Sequence, residues 1–212
     1  MDLSIVLDKI YLIYPAPIST NERVINLDSQ RLLRFIIIIV CFFNALYIKD
    51  KEAKSKKDVN ILRAAAGLTI IADWFFFSYN IDVGILIFAI IHTFYNYRYT
   101  QLIRVKIQVA ASAVVFLIFF LIFKNITAGL LGAYFVSGFY SLTGSIMAKK
   151  EFPSPNNILI ILGMVLFYVS SIIYLASALM SPQMSESVFK LIQITYLPAQ
   201  VLLSSTGRKI EV

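Results

Sequence analysis

The chain has 212 residues, of which 59% are hydrophobic, and its mean hydropathy is +0.79. Soluble domains are only about 45–50% apolar, and they seldom contain apolar runs of about 17–25 residues, the length that crosses a bilayer as a helix. The formal net charge is +7, but the basic residues stand at the ends of the apolar runs, where they meet lipid headgroups rather than nucleic acid. The composition therefore predicts an all-α, polytopic transmembrane bundle and argues against a soluble domain or a nucleic-acid-binding protein.

Residues 1–14 carry apolar side chains at helical spacing, and Pro15 and Pro17 end this pattern. The segment is too short to span a bilayer. We expect an amphipathic helix in the membrane interface, with a short packed or re-entrant helix as the alternative. Residues 18–30 are polar and are predicted to be a connection.

Seven apolar segments follow and are predicted to be membrane-spanning helices. They comprise residues 32–48, 61–78, 83–97, 105–123, 126–148, 157–180 and 187–205. The predicted organisation is one integral membrane domain over residues 1–212, made of an N-terminal amphipathic segment and linker (1–30), a helical bundle (31–205) and a C-terminal tail (206–212).

The orientation follows from the basic residues. Five lysines lie within residues 49–57, between the first two predicted spans. Loops rich in Lys and Arg stay on the cytoplasmic side. We therefore expect this loop and the C-terminus to be cytoplasmic, in the plasma (inner) membrane of a bacterium, although Arg23, Arg31 and Arg34 favour the opposite orientation.

Two ionisable residues lie inside adjacent predicted spans. Asp73 follows Ile71 and Ala72 and precedes an aromatic run, and His92, the only histidine of the chain, lies between Ile91 and Thr93. Ionisable groups are costly in hydrocarbon, so they usually face a bundle interior or a wet cavity and mark a functional site. A lone histidine that satisfies a neighbouring hydroxyl is the structural alternative.

Further polar residues fall at similar depth in other predicted spans. They are Ser170 and Ser171 in the sixth span, Tyr196 and Gln200 in the seventh, and Arg31 and Arg34 at the start of the first. Tyr95 shares a helix face with His92 because it follows at i+3. Such a convergence is typical of a binding site, but Ser, Tyr and Gln also bridge transmembrane helices as packing hydrogen bonds worth about 0.6 kcal/mol each.

Short motifs accompany these residues. The first motif is Gly-Asp, and this chain has Ala72-Asp73 in its place. The second motif is Phe-x-x-x-His-x-x-Tyr, which Phe88, His92 and Tyr95 match. Later matches to Gly-x-x-Leu-Phe-x-x-Ser-Asp and Tyr-x-x-Ala-Gln-x-Leu are Gly163, Leu166, Phe167, Ser170, Tyr196, Ala199, Gln200 and Leu202. In this order the motifs resemble the YhhN-type integral membrane family, whose characterised members are lysoplasmalogenases. The resemblance covers residues 31–205.

The chain departs from that family at important positions. The family's second aspartate falls on Ser171, and the glycine before the first aspartate is Ala72. The basic residue at the start of the first shared helix is Arg31 or Arg34, without the usual proline after it. The chain is therefore identified as a divergent member.

The resemblance implies hydrolysis of the vinyl-ether bond of a lysoplasmalogen to a fatty aldehyde and a glycerophospho-headgroup. It implies Asp73 as the acid that protonates the vinyl carbon, His92 as a base or orienting group, and Ser171 in place of the second carboxylate. Substrate contacts would come from Arg31, Arg34, Tyr95, Ser170, Tyr196 and Gln200. A lysophospholipid or other lipid is the expected partner in the bilayer, and the oligomeric state stays open.

Other functions are compatible with the same residues. A catalytically inactive lipid-binding protein of the same fold is one alternative, and a small transporter that uses Asp73 and His92 as a proton relay is another. No metal site or cofactor is predicted, because the spans hold one histidine, one unpaired cysteine and one carboxyl group, too few for a three-ligand site.

Overall fold

The computed structural model of the protein describes residues 21–49, 52–77, 80–180 and 186–208. The predicted N-terminal helix, residues 1–14, lies outside the described residues. Within the described part the chain forms seven α-helices. They are α1 (Asn21–Leu46), α2 (Lys56–Phe77), α3 (Ile81–Tyr99), α4 (Leu102–Phe123), α5 (Ile126–Met147), α6 (Asn156–Met180) and α7 (Glu186–Ser205).

The predicted all-α bundle is confirmed, since each of the seven predicted spans corresponds to one helix. One boundary was wrong: α1 begins at Asn21, inside the stretch expected to be a polar connection. Residues such as Glu22, Arg23 and Gln30 have high helix propensity, so a polar turn can extend a helix beyond its apolar part. The apolar part of α1, Leu32–Leu46, agrees with the predicted span at residues 32–48 except at its last two residues.

Among the described residues, four helices are long and apolar enough, by length and composition, to cross a membrane: α2, α4, α5 and α6. The other predicted spans form helices of more mixed composition. In α3 the polar side chains of His92 and Asn96 are buried inside the bundle, where neighbouring helices rather than lipid surround them. A helix in that position does not need to be apolar on every face.

The helices α3 and α4 differ most in their surroundings. The helix α3 packs against α2 and α5 and buries nine residues on one broad face. In α4 the one residue that the structure buries fully is Gln108, whereas Ile107, Val114 and Leu117 are about half exposed. Exposed aliphatic residues over the whole length of a helix are expected where it faces lipid. The helix α4 is therefore peripheral, and α3 belongs to the core.

Glycines on α5 allow its neighbours to approach closely. A Cβ atom at Gly144 would lie 2.8 Å from the side-chain oxygen of Asn96, and one at Gly138 would lie 2.8 Å from the Tyr168 ring. Small residues at helix contacts are the usual means of close packing in membranes. They bring α3, α5 and α6 together around the polar residues of the interior.

A buried ion pair joins three elements at one end of the bundle. The Arg98 guanidinium donates from Nε to Asp58 Oδ1 at 2.8 Å and from Nη2 to Asp58 Oδ2 at 3.0 Å. It also donates to the Thr206 hydroxyl at 2.8 Å and to the Thr206 carbonyl at 3.0 Å. Asp58 lies in the first turn of α2 and Arg98 in the last turn of α3, so both charges complement their helix dipoles. These three residues are here named the Asp58 clamp.

Candidate functional site

A second buried ion pair lies towards the opposite end of α2. Asp73 is one turn from the end of α2, and Arg34 of α1 donates through Nη2 to its Oδ1. The Tyr196 hydroxyl of α7 donates to Asp73 Oδ2 at 2.9 Å. We name these three residues the Asp73 triad. The sequence predicted each of them as a site residue, and the structure brings them together.

The guanidinium of Arg34 makes fewer hydrogen bonds than that of Arg98. Its contact with Asp73 is through one nitrogen, and within the described part of the chain its buried Nε has no hydrogen-bond partner. The guanidinium lies 4.4 Å from the centroid of the Tyr196 ring, a cation–π contact. The Arg34 side chain is 16% exposed, against 3% for Asp73. Arg34 therefore reaches from the buried carboxylate to the protein surface.

A second polar pair accompanies the triad. The Tyr134 hydroxyl of α5 is hydrogen-bonded to the Ser171 hydroxyl of α6, and both are buried. The sequence predicted Ser171 but not Tyr134, because a tyrosine within an apolar helix carries no distinguishing signal. Its position between Gly132 and Gly138, in the helix that contains four of the eight glycines of the chain, is the hint that the sequence offers.

Aromatic rings separate and surround the two polar pairs. The Phe88 ring lies 6.0 Å from the Tyr196 ring and 6.2 Å from the Tyr134 ring, measured between centroids. Phe167 packs against Phe88 at 5.9 Å and against Tyr196 at 5.7 Å. The polar atoms therefore lie in an apolar, water-poor environment, where hydrogen bonds and charges interact more strongly than in water.

His92 has different neighbours from those of Asp73. Its Nδ1 is 2.8 Å from the Ser141 hydroxyl of α5, and its ring stacks on Phe167 with centroids 4.5 Å apart. The histidine is fully buried, and its Nε2 has no hydrogen-bond partner among the described residues. Its direct contacts are thus with α5 and α6 rather than with the carboxyl group of the triad.

The remaining predicted site residues are placed as follows. The Ser170 hydroxyl donates to the Phe167 carbonyl at 2.6 Å, which commits its proton to the helix backbone. Gln200 and Tyr95 line a narrow gap beside the triad. The Arg31 side chain lies outside the described residues. Within the described ranges, no group of three or more His, Cys, Asp or Glu side chains is placed to hold a metal ion.

Comparison with known proteins identifies the family. A protein-family model described as the YhhN family matches residues 30–206, which is most of the chain. No curated protein and no solved structure gave a match. The matched region begins within α1 and ends just beyond α7, so it contains every residue of the Asp73 triad and of the Tyr134–Ser171 pair.

Proposed function

The chain belongs to the YhhN family, and on that premise we propose that it is a lysoplasmalogenase-like membrane hydrolase. Its substrate would be a lysoplasmalogen, and its products a fatty aldehyde and a glycerophospho-headgroup. The observation that carries the proposal is the Asp73 triad, in which a buried carboxyl group contacts an arginine that reaches the surface. This arrangement offers a proton-transfer group next to a phosphate-binding group, at the boundary between bundle and lipid.

The chemistry requires one proton donor and one water molecule. Asp73, when protonated, donates its proton to the vinyl carbon β to the ether oxygen, which leaves an oxocarbenium ion. Water adds to the cationic carbon, and its released proton returns to the Asp73 carboxylate. The resulting hemiacetal breaks its bond to the glycerol oxygen, which takes the hydroxyl proton as the aldehyde forms. One water is consumed, and Asp73 ends the cycle as it began.

Arg34 is the reason for proposing a substrate that carries a phosphate group. A guanidinium binds phosphate through parallel N–H donors, and Arg34 has a buried Nε that no described residue engages. When a substrate phosphate engages Arg34, Asp73 loses its cationic partner, and the protonated carboxyl becomes the more favourable form in an apolar site. The lipid itself would thereby convert Asp73 from hydrogen-bond acceptor to acid.

The Tyr134–Ser171 pair is proposed to position the attacking water. Ser171 stands where the family's second aspartate is expected, and its hydroxyl donates to the Phe167 carbonyl at 2.9 Å. Serine cannot carry the negative charge that would stabilise an oxocarbenium ion. Loss of such a group typically costs about 10²–10⁴ in rate for acid–base chemistry, so turnover is expected to be slow.

A second function is favoured by one observation. Both oxygens of Asp73 already accept hydrogen bonds, and Asp58 and Asp73 are the acidic residues that the structure buries within the described ranges. A single, fully engaged carboxyl group also suits a lipid-binding protein without turnover. In that case the substrate phosphate would still bind at Arg34, but no aldehyde would form.

The test is aldehyde release from lysoplasmenyl phospholipids by the full-length protein in detergent. The variants are Asp73→Asn and Ser171→Asp, each checked for folding by its thermal unfolding temperature. Turnover by the unmodified protein that disappears in Asp73→Asn supports the hydrolase. Turnover that appears only in Ser171→Asp supports the lipid-binding function of a former hydrolase. No aldehyde from any folded variant contradicts both the proposed reaction and the assignment of Asp73.

The membrane orientation is part of the proposal. The helices place the protein in a membrane, and the lysine-rich loop at residues 49–57 supports a cytoplasmic C-terminus in a bacterial plasma membrane. Fluorescent-protein and alkaline-phosphatase fusions at the C-terminus test this. A fluorescent, phosphatase-negative fusion is expected, and the reverse pattern would place the Asp73 triad at the opposite leaflet.

A further inference from the structure

A narrow gap lies directly beneath the Asp73 triad. Its lining includes Ile38, Thr69 and Gln200, and each of these is four residues, or one helical turn, from a member of the triad. One turn advances a helix by about 5.4 Å. On each of the three helices, the residue that lines the gap therefore lies about 5.4 Å along the helix from the triad residue. The gap is therefore the next layer of the bundle, between the triad and the Asp58 clamp.

The gap is more polar than its surroundings. Besides Thr69 and Gln200 it is lined by Tyr95, Ser204 and Cys41. Gln200 is 4% exposed, and its Nε2 has no hydrogen-bond partner in the described part of the chain. A buried amide N–H without a partner costs about 1–3 kcal/mol, so such groups are usually satisfied by ordered water. Gln200 thus lines the gap and has a donor that no described residue engages.

Tyr99 is a further buried polar residue, and it lies farther from the triad than the gap does. Tyr99 follows Tyr95 by one turn, and their rings are stacked with centroids 6.0 Å apart. The Tyr99 hydroxyl is buried and, among the described residues, is without a hydrogen-bond partner. The Arg98 guanidinium lies 5.6 Å from the centroid of the Tyr99 ring, which places Tyr99 next to the Asp58 clamp. The Gln200 amide and the Tyr99 hydroxyl, two buried polar groups, therefore both lie between the two buried ion pairs.

We propose that this seam, formed by Thr69, Gln200, Tyr95 and Tyr99, is a water path that connects Asp73 with the end of the bundle that carries the Asp58 clamp. Water in the seam would receive a hydrogen bond from the Gln200 amide and exchange hydrogen bonds with the tyrosine hydroxyls. The path would deliver water and protons to Asp73 from inside the protein, while the lipid approaches Arg34 from outside. The inference is independent of whether Asp73 catalyses hydrolysis.

The gap is too narrow to admit a water molecule without a small side-chain movement. The inference therefore predicts intermittent hydration rather than an open channel.

Hydroxyl-radical footprinting of the full-length protein in lipid nanodiscs tests the path, because radicals generated from bound water label the side chains next to it. Two buried sulfur atoms make a matched comparison: Cys41 lines the gap and is 6% exposed, whereas Met164 is 0% exposed and lies in the apolar core. Because thiols react with hydroxyl radicals faster than thioethers do, each rate is divided by the rate of the same residue in the unfolded protein. We expect this normalised rate to be higher for Cys41 than for Met164. A normalised rate for Cys41 no higher than that for Met164 would show that the seam is dry and overturn the proposal.

Variants then locate the water. Gln200→Leu keeps the size of the side chain but removes the donor, and Tyr99→Phe removes one hydroxyl. Each is expected to slow Cys41 oxidation by roughly fivefold, the factor that corresponds to one lost hydrogen bond. Val201→Leu, on an exposed position of α7, is the control and should leave the rate unchanged. If both seam variants fold and neither changes Cys41 oxidation, the water reaches Cys41 by another route and the proposed path is wrong.

Discussion

The two buried Arg–Asp pairs of this bundle use the same residue types in opposite ways. In the Asp58 clamp, two guanidinium nitrogens bind both carboxylate oxygens, and the remaining donors engage Thr206. In the Asp73 triad one nitrogen makes the contact, Tyr196 occupies the second oxygen, and Arg34 Nε is left without a described partner. The clamp is saturated by its own chain, whereas the triad retains binding capacity for another molecule.

Burial sharpens the difference. The side chains of Arg98 and Asp58 are 0% and 6% exposed, whereas Arg34 retains 16% exposure. A saturated, enclosed pair suits a structural joint between α2, α3 and the C-terminal end of α7. A pair with a partly exposed arginine and an unused donor suits exchange with a ligand. The comparison teaches that hydrogen-bond saturation, and not burial of charge alone, separates a structural ion pair from a candidate site.

The largest expected effect is on stability, from Asp58→Asn. Removing the carboxylate leaves Arg98 buried without its counter-charge, and breaking a buried pair in this way costs about 3–5 kcal/mol. The measurement is the free energy of unfolding in mixed micelles. A loss below about 1 kcal/mol would mean that the clamp is not the structural joint described above.

The next effect is on substrate affinity, from Arg34→Lys. Lysine keeps the positive charge beside Asp73 but loses the guanidinium fork. Hydrogen bonds to charged groups are worth about 1.5–3 kcal/mol, so KM for a lysoplasmenyl phospholipid should rise about 10–100-fold. The control substrate is the same alkenyl glycerol without its phosphate, for which KM should not change. An equal rise for both substrates would refute phosphate recognition by Arg34.

A smaller effect is expected from Tyr134→Phe. This change removes one hydroxyl from the pair with Ser171 and keeps the ring packed against Phe88. The expected result is roughly a fivefold lower kcat with unchanged KM, since one neutral hydrogen bond is worth about 1 kcal/mol. A matched change of Tyr168, whose ring packs against Phe135, to Phe should leave kcat unaltered. Equal losses in the two variants would assign Tyr134 a packing role.

The smallest effect is expected at the surface pair of Lys54 and Glu151. Lys54 Nζ lies 3.4 Å from Glu151 Oε2, and the two side chains are 35% and 64% exposed, respectively. Exposed ion pairs contribute about 0–1 kcal/mol, so Lys54→Ala should change the free energy of unfolding by no more than that. A loss of stability comparable to that of Asp58→Asn would show that burial does not determine how much an ion pair contributes to the stability of this protein.

Much of the Asp73 triad could be predicted from sequence because an ionised group in an apolar run is rare and costly. Asp73 and Tyr196 lie 123 positions apart, yet both were expected at one site from their depth in the predicted spans. The Asp58 clamp could not be predicted in this way. Asp58 follows the lysine loop and Arg98 ends an apolar run, where charged residues ordinarily meet water or headgroups. Only the packing of α2 against α3 shows that these two are buried together.

His92 illustrates a different limit. Its burial was predictable, but its partner was not, because serines such as Ser141 are common within helices and hydrogen-bond to their own backbone. Helix α5 also supplies Tyr134, and sequence periodicity alone does not fix which face of a nearly apolar helix points inwards. The glycine contacts of α5 with α3 and α6 determine that face, and they appear only once the helices are packed.

The most direct test of the central claim compares Asp73→Asn with Asp58→Asn, the same chemical change at the two ion pairs. Aldehyde release from a lysoplasmenyl phospholipid and the free energy of unfolding are measured for both variants and the unmodified protein. We expect Asp73→Asn to lose turnover by about 10²–10⁴ at a smaller cost in stability than Asp58→Asn, because the partly exposed Arg34 can turn towards solvent. Unchanged turnover in a folded Asp73→Asn protein, or equal stability losses in the two variants, would contradict the distinction between a site and a clamp.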